Sequence, residues 1–266
     1  MPAPRQDLVA IVTGSSSGLG QAIVERFARA GAKVCINYHS SAEAAEKIAR
    51  GIEDGGGEAV VVGADMSDES DVARMFDAVA DRFGRVDVLV ANAGMQKDAA
   101  FADMSLDDWN AVVSLNLTGQ FLCAREAVRR FRAQDPVETM RSRGSILFMS
   151  SVHDIVPWAG HANYAASKGG SLMLMKSLAQ EVGAERIRVN AIAPGAIATD
   201  INRDVWEDDA ARAKLLELVP YGRIGKTGDV AEAALWLSSD AADYVHGTTL
   251  YVDGGMTLYP GFIGNG

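Results

Sequence analysis

Short apolar segments alternate with segments of helical period along the whole chain of 266 residues. The apolar segments are rich in Val, Ile and Leu and lack polar alternation, which is typical of strands buried on both faces of a parallel sheet. Seven strands are predicted: Leu8–Thr13, Lys33–Asn37, Ala59–Gly63, Val86–Ala91, Ser145–Met149, Ile187–Ile192 and Thr249–Val252. The alternation predicts an α/β fold, a doubly wound parallel sheet with helices on both faces.

The segments between the predicted strands carry apolar stripes at helical spacing. One stripe consists of Val72, Phe76, Val79 and Phe83. A second consists of Leu117, Phe121, Ala124, Val128 and Phe131. The chain shows no composition shift, repeat or linker that would divide it, so we expect a single domain over residues 1–266.

Composition and charge exclude several function classes. The 25 Lys+Arg against 35 Asp+Glu give a formal net charge of −10 at pH 7, which disfavours a nucleic-acid partner because phosphates require a basic surface. No apolar run reaches the ~18–20 residues that span a bilayer, and the N-terminus lacks a signal-peptide pattern. Cys35 and Cys123 lack metal-ligand spacing and are expected in the core. We expect a cytoplasmic protein without a metal site, a membrane partner or a nucleic-acid partner.

A glycine-rich turn follows the first strand. Gly14, Gly18 and Gly20 lie in the segment Thr13–Gly20, between that strand and a helix predicted over Gln21–Ala30. Glycine at such positions permits a tight turn and the close approach of a pyrophosphate. The helix N-terminus adds free N–H groups and the positive end of its dipole. The turn therefore predicts a dinucleotide site.

Tyr164 and Lys168 have the spacing of neighbours on one face of a helix. An ammonium beside a phenol favours the phenolate, which makes tyrosine a usable general base near neutral pH. Ser151 follows the predicted strand Ser145–Met149, and ligands of open α/β sheets bind beyond the carboxyl ends of their strands. The three side chains predict a site that moves a proton to or from a substrate oxygen.

These motifs resemble the short-chain dehydrogenase/reductase family. The resemblance rests on Thr-Gly-x-x-x-Gly-x-Gly at Thr13–Gly20, on Asn92-Ala93-Gly94 after the fourth strand, and on Ser151, Tyr164 and Lys168. It extends over nearly the whole chain and implies a Rossmann fold, an NAD(P)-dependent oxidoreductase and a homotetramer. It also implies that Asn116 is a fourth catalytic residue, which keeps a water in the proton path from the lysine.

The resemblance further implies which residues hold the cofactor. Asp65 matches the position beside the adenine, Lys168 binds the ribose, and Ile197 and Thr199 match positions that orient the carboxamide. The expected cofactor contacts are Gly14, Ser16, Ser17, Gly18, Leu19, Gly20, Asn37, Tyr38, His39, Asp65, Met66, Asn92, Ala93, Gly94, Tyr164, Lys168, Pro194, Gly195, Ile197 and Thr199.

The end of the second strand bears on the choice between NAD and NADP. An acidic residue there binds the ribose hydroxyls and repels a 2′-phosphate, whereas a basic residue attracts it. The sequence Asn37-Tyr38-His39-Ser40-Ser41 contains neither an acid nor an Arg or Lys. We expect NAD to be favoured and NADP to be tolerated.

Two stretches are most similar to the glucose 1-dehydrogenases of this family, Ser150-Ser151-Val152-His153 and the tail segment 253–260. This similarity implies oxidation of an aldose at its anomeric hydroxyl to the aldonolactone. The expected substrate contacts are Gln96, Lys97, Ser151, His153, His161, Asn163, Tyr164 and Arg203. The cations among them favour a C6-acidic sugar such as a sulfo-sugar, but as ordinary surface charges Lys97 and Arg203 are equally compatible with a neutral glucose-type sugar.

Two other functions stay open. A carbonyl or 3-oxoacyl thioester reductase shares every catalytic residue, and its acidic acyl-carrier partner would need a basic surface. Arginines near the polar loop 133–143 could form such a basic surface, although we favour a solvated or subunit-contact face for them. They are Arg125, Arg129, Arg130, Arg132, Arg141 and Arg143. A non-catalytic dinucleotide-binding regulator is a remote alternative.

Two segments are expected to complete the site and the assembly. Residues 200–218 are expected to form a substrate lid, and the apolar, glycine-rich tail 256–266 is expected to dock against a neighbouring subunit or pocket.

Overall fold

Parallel strands form the central layer of the protein. The computed structural model describes residues 8–137, 140–199 and 206–258. The strands of the main sheet are β1 (Val9–Val12), β2 (Lys33–Tyr38), β3 (Ala59–Gly63), β4 (Val88–Ala91), β5 (Gly144–Met149), β6 (Ile187–Pro194) and β9 (Thr249–Val252). Their spatial order is β3-β2-β1-β4-β5-β6-β9. All seven predicted strands are present, and the sheet confirms the predicted fold class.

Helices cover both faces of this sheet. They are α1 (Gly18–Arg29), α2 (Ala42–Asp54), α3 (Glu69–Phe83), α4 (Leu106–Val113), α5 (Gly119–Ala133), α6 (Ala162–Val182), α7 (Asp209–Leu216) and α8 (Thr227–Ser238). Apolar residues of α3, α5 and α6 form one core with one face of the sheet, and those of α1, α2 and α8 form another with the opposite face. Two short strands, β7 (Ile197–Ala198) and β8 (Gly225–Lys226), pair separately.

The strand order places the ligand crevice. The chain runs from β1 outward to β3 and then returns to β4 on the other side of β1. Such a reversal leaves a crevice beyond the carboxyl ends of the two strands. The glycine-rich turn follows β1 and the Asn92-Ala93-Gly94 triplet follows β4, so both motifs border this crevice.

The bounds of α3 follow from its sequence. At its start the Asp68 carboxylate accepts a hydrogen bond from the Asp71 backbone N–H at 2.9 Å, which satisfies a free donor of the first turn. At its end Gly84 has φ of 81°, the left-handed conformation that commonly ends helices. The predicted stripe is confirmed, since its members are buried or packed against the core: Val72, Phe76, Val79 and Phe83.

The second predicted stripe is wrong in part. Residues Ser114–Thr118 form a π turn between α4 and α5, and a regular 3.6-residue repeat does not continue through such a turn. The buried face of α5 is centred on Gln120, Cys123 and Ala127. Phe121 is 41% exposed, with the Arg125 guanidinium 5.2 Å from its ring centroid. Ala124, Val128 and Phe131 are buried as predicted, whereas Leu117 is only partly buried.

Both cysteines lie in the core, as predicted. Cys35 and Cys123 are fully buried, and burial raises the pKa of each thiol to about 12. Within the described ranges, no helix combines the length and apolar character that a membrane span requires. Of the predicted lid, residues 200–205 lie outside the described residues, as do residues 259–266 of the tail.

Candidate active site

The glycine-rich turn is shaped to admit a ligand against its backbone. Gly14 has φ of 61°, and a Cβ on it would lie 3.0 Å from the Ala93 Cα. Gly18 has φ of 58° and open space where a side chain would project. Both positions therefore require glycine, one for close packing and the other for a left-handed backbone beside free space. The cradle at the N-terminus of α1 fits the phosphates of a dinucleotide.

Buried polar side chains hold this turn in place. The Asn37 Oδ1 accepts a hydrogen bond from the Gly14 N–H at 2.9 Å, while its amide group donates to backbone carbonyls that include Val62 and Ala64. From the other side of the crevice, the Asn92 amide donates to the Thr13 carbonyl at 2.8 Å. The side chain of Asn37 thus supports the turn, which changes the expected role of this residue from cofactor contact to positioning.

The other predicted cofactor residues lie at or beyond the carboxyl ends of strands of the main sheet, or in the glycine-rich turn. They are Ser16, Ser17, Leu19, Gly20, Tyr38, His39, Asp65, Met66, Ala93, Gly94, Pro194, Gly195, Ile197 and Thr199. His39 is largely exposed, and its Nε2 lies 3.7 Å from a carboxylate oxygen of Asp65. The Met66 side chain is buried against Cys123, which leaves only its backbone for a ligand. Their contacts with the cofactor stay predictions.

Tyr164 and Lys168 lie in the first two turns of α6, as their spacing predicts. The Lys168 Nζ lies 5.5 Å from the centroid of the Tyr164 ring and donates a hydrogen bond to the Met149 carbonyl at 2.8 Å. Lys168 is only 3% exposed. Burial lowers the pKa of its ammonium, and the negative charges available on Tyr164 and Asp154 oppose that shift. An opposite charge close to a buried cation favours its charged form.

Ser151 begins a short 3-10 turn over Val152–Asp154, directly beyond the end of β5. Its Oγ accepts a hydrogen bond from the His153 N–H at 3.3 Å. The side chain is 7% exposed, and its hydroxyl hydrogen is free to rotate toward a substrate oxygen. Ser151 and Tyr164 thus belong to two elements that pack against each other, the 3-10 turn and α6.

Asn116 lies in the π turn and is completely buried. Its Oδ1 accepts from the Met95 N–H at 2.8 Å, and its Nδ2 donates to the Met95 carbonyl at 2.9 Å. A longer hydrogen bond of 3.2 Å joins Nδ2 to the Ser167 Oγ on α6. Asn116 therefore connects the loop after β4 to the helix that carries Tyr164 and Lys168. π turns occur frequently at functional sites.

The expected set of substrate contacts needs correction. Asn163 is completely buried. Its amide donates to the Lys97 carbonyl at 2.9 Å, and its Oδ1 accepts from the Tyr164 N–H at 2.7 Å. An amide with these partners supports the start of α6, so its assignment as a substrate contact is wrong. Gln96 is exposed, and Arg203 lies outside the described residues.

Two of the four groups expected to bind an acidic sugar have acidic partners instead. The Lys97 Nζ lies 2.8 Å from an oxygen of Asp108, and the His161 Nε2 lies 3.1 Å from an oxygen of Asp98. Burial lowers the pKa of His153, which disfavours its cationic form. Among the described residues of this set, the local charge therefore gives little attraction to a second anion.

A stack of three rings lies between Ser151 and Tyr164 in the chain. The Trp158 ring lies 4.3 Å from the ring of His153 and 3.5 Å from that of His161, between centroids. His153 in turn meets Tyr164 edge-on at 6.4 Å. Trp158 therefore stacks on two imidazole rings, which fix the orientation of the indole.

Sequence reasoning missed two buried supports of the site. The Gln120 amide donates to the Ala91 carbonyl at 3.1 Å and to the Met149 carbonyl at 3.0 Å, which also accepts from Lys168. The Ser167 Oγ accepts a hydrogen bond from the Asn116 amide at 3.2 Å. Both contacts join residues far apart in sequence, and no local pattern signals them.

The arrangement resembles that of several known proteins. A family model described as enoyl-(acyl carrier protein) reductase matches residues 14–257. The 3beta-hydroxysteroid dehydrogenase 1 of Eggerthella lenta is 48% identical over 252 residues, which are 95% of this chain and 94% of the relative. The glucose 1-dehydrogenase 2 of Bacillus subtilis is 43% identical over 252 residues, 94% and 95% of the two chains.

A solved structure has the same fold. The gluconate 5-dehydrogenase of Burkholderia cenocepacia, in complex with NADP and tartrate, superposes with a TM-score of 0.87 at 34% identity. The match covers 95% of this chain and 96% of that structure.

Proposed function

This chain belongs to the short-chain dehydrogenase/reductase family, and we propose that it oxidises a secondary hydroxyl group on a ring. A nicotinamide dinucleotide, when bound, would supply the hydride acceptor, and the reverse reaction would reduce a ketone. The single observation that carries this proposal is the grouping of Ser151, Tyr164 and Lys168 beyond the end of β5, with the Lys168 Nζ 5.5 Å from the Tyr164 ring.

Each side chain has one step in this proposal. The Tyr164 phenolate takes the proton from the substrate hydroxyl as the carbon loses its hydride. The Ser151 hydroxyl donates a hydrogen bond to the same oxygen and holds it against the phenol. The Lys168 ammonium, held by the Met149 carbonyl, favours the phenolate by its charge. The protein thus orients the substrate and supplies the electrostatic environment, while the cofactor would supply the redox chemistry.

The rim of the site supports a substrate with an apolar body. Ile155 is 56% exposed and Trp158 is 41% exposed, and both lie in the segment between Ser151 and Tyr164. A hydrogen bond from the Ala99 N–H to the Gly160 carbonyl joins this segment to the loop that carries the exposed Phe101. Exposed apolar groups of this kind mark binding surfaces. A 3β-hydroxysteroid has the required shape, with one hydroxyl on a fused apolar body, and the 48% identical relative carries that name.

An aldose is the second candidate substrate. The 43% identity to a glucose 1-dehydrogenase supports oxidation of an anomeric hydroxyl to the lactone. Of the sugars, a neutral one is favoured over a C6-acidic one, because Lys97 and His161 are paired with Asp108 and Asp98. The buried amide of Asn163 removes one expected sugar contact, and the exposed apolar rim makes the steroid-like substrate the preferred one.

Reduction of an acyl thioester on an acidic carrier receives less support. The expected basic surface is largely neutralised, since arginines near the loop 133–143 form ion pairs with carboxylates. These pairs are Arg125–Glu69, Arg129–Glu126, Arg130–Asp77 and Arg132–Glu185. Paired side chains attract an acidic partner weakly.

NAD is favoured as the cofactor, with NADP tolerated. Asp65 lies 3.7 Å from His39, and its negative charge at the end of β3 disfavours a 2′-phosphate nearby. The exposed Ser17 and His39 supply hydrogen-bond donors without a permanent charge. The related gluconate 5-dehydrogenase was solved with NADP, which supports tolerance for it.

The protein forms a homotetramer in this proposal. Phe121 on α5 is 41% exposed and Met173 on α6 is 59% exposed, and apolar residues of this kind are suited to a subunit interface. Light scattering of the variant Met173→Glu should give smaller species than the parent protein, whereas an unchanged molar mass would argue against this interface.

A substrate panel tests the proposed function. Initial rates of cofactor reduction would be measured for a 3β-hydroxysteroid, glucose and glucuronate, each with NAD and with NADP. We expect the highest kcat/KM with the steroid and NAD, and the lowest with glucuronate. A strong preference for glucose would establish the aldose reaction instead. Binding of the dinucleotide without turnover of any alcohol would contradict the proposal and favour a regulator.

A further inference from the structure

The carboxylate of Asp154 connects the turn that carries Ser151 to the edge of the sheet. One oxygen accepts a hydrogen bond from the Ser150 Oγ at 2.8 Å, and the other accepts from the Tyr251 hydroxyl at 2.9 Å. Ser150 is itself bound to β6, through its N–H and the Ile192 carbonyl at 2.7 Å. Tyr251 belongs to β9. A single side chain thus ties the ends of β5 and β9 together.

Asp154 also closes the turn behind the catalytic serine. Its own N–H donates to the Ser151 carbonyl at 3.0 Å, and the His153 N–H donates to the Ser151 Oγ. The direction of the Ser151 hydroxyl therefore depends on a turn whose last residue is fixed by Ser150 and Tyr251. Small displacements of a group that positions a substrate reduce turnover strongly.

The same carboxylate acts on the buried lysine. Burial lowers the pKa of Lys168, and the charges of Tyr164 and Asp154 oppose that shift. Asp154 also interacts electrostatically with His153 and with Tyr251, and Asp253 is a second negative charge that acts on Tyr251. Burial is the main cause that raises the pKa of Tyr251, and the hydrogen bond to Asp154 raises it further. Tyr251 therefore stays a neutral donor to the Asp154 carboxylate.

We propose that Asp154 is a positioning residue for the oxidation, which fixes the Ser151 turn against β9 through Tyr251 and keeps the buried Lys168 cationic. The geometric half of this assignment rests on the two hydrogen bonds of the carboxylate. The electrostatic half rests on adjacent residues of the chain, since Met149 accepts the hydrogen bond of Lys168 and Ser150 donates to Asp154. The inference rests on the proposed function, in which Ser151 and Lys168 serve proton transfer.

Two variants separate the two roles. Asp154→Asn keeps the size of the side chain and removes its charge, whereas Tyr251→Phe keeps the charge and removes one hydrogen bond. Asp81→Asn removes an exposed carboxylate on α3 and serves as the matched control. Circular dichroism and titration with the dinucleotide establish that each variant folds and binds cofactor.

Turnover gives the first measurement. We expect Asp154→Asn to lower kcat by about tenfold to a hundredfold and to move the alkaline limb of the kcat/KM profile to lower pH, because Lys168 loses its proton more readily. Tyr251→Phe should lower kcat by a smaller factor and leave that limb in place. Asp81→Asn should change neither. An unchanged kcat and profile in Asp154→Asn, with an active parent enzyme, would refute the inference while leaving the proposed function standing.

A second measurement needs no substrate. Protein labelled with ¹³C-lysine would be titrated by NMR, with the Lys168 resonance assigned from its absence in Lys168→Arg. The pH midpoint of the Lys168 titration should be lower in Asp154→Asn than in the parent protein and unchanged in Tyr251→Phe. Equal midpoints in the parent protein and Asp154→Asn would refute the electrostatic role even if no alcohol is turned over.

Discussion

The ammonium of Lys168 lies 5.5 Å from the centre of the Tyr164 ring, one helical turn away and almost wholly buried. The ammonium donates a hydrogen bond to the Met149 carbonyl at 2.8 Å. A buried cation in this position acts on the phenol through a medium that screens charge poorly. The relationship predicts that loss of the Tyr164 hydroxyl affects the chemistry rather than the stability of the protein.

Replacing the phenol should abolish turnover without unfolding the protein. Tyr164→Phe keeps the ring and removes the hydroxyl, so we expect kcat to fall by about 10²–10⁴-fold, with an unchanged dissociation constant for the dinucleotide. Tyr244→Phe removes an equivalent hydroxyl from a fully exposed ring and should leave kcat unchanged. Substantial residual activity in Tyr164→Phe would overturn the catalytic assignment.

The amide of Asn37 should matter for cofactor affinity rather than for chemistry. In Asn37→Ala the Gly14 N–H and the carbonyls of Val62 and Ala64 lose a buried partner, which should lower the free energy of unfolding by about 1–3 kcal/mol. The glycine-rich turn then loosens, so KM for the dinucleotide should rise more than kcat falls. Steady-state kinetics and denaturant unfolding measure the two effects. The exposed Asn110→Ala is the control, and equal changes in both variants would contradict the expectation.

Cofactor preference should respond to charge at position 39. His39→Arg adds a cation near the ribose hydroxyls and should raise the ratio of kcat/KM for NADP to that for NAD by about tenfold or more, since a hydrogen bond to a charged group contributes about 1.5–3 kcal/mol. His39→Asp should lower the same ratio. Because Asp65 lies beside this position, the arginine must act against an existing negative charge. A ratio that is equal in both variants would show that His39 does not face the 2′ position.

Stability should depend on pH through His153. Burial lowers the pKa of this imidazole in the folded protein, so the unfolded chain binds more protons once the pH falls below about 6.5. The free energy of unfolding should therefore decrease as the pH falls through this range. His153→Phe keeps a ring against Trp158 and removes the titration. Denaturant unfolding at about pH 7.5 and about pH 5.5 should show a smaller loss in the variant than in the parent protein, and equal losses would contradict the expectation.

Local patterns predicted what lies close together along the chain. The spacing of Tyr164 and Lys168 places both on one helical face, and apolar runs predicted every strand of the sheet. The direction of Asn163 could not be predicted in this way, because its partners are the carbonyls of Lys97 and Asp108 in other elements. The same holds for Asp154, whose second partner Tyr251 lies 97 residues away.

The π turn at Ser114–Thr118 makes the site depend on the length of the chain. A π turn holds one more residue than an α-helical turn. The extra residue changes the rotation of α5 about the helix axis relative to α4. Deleting one residue from this turn would rotate one helix by about 100° relative to the other. Asn116 would then lose either Met95 or Ser167. A one-residue deletion here would therefore uncouple the two walls of the crevice even if every side chain that touches a ligand were retained.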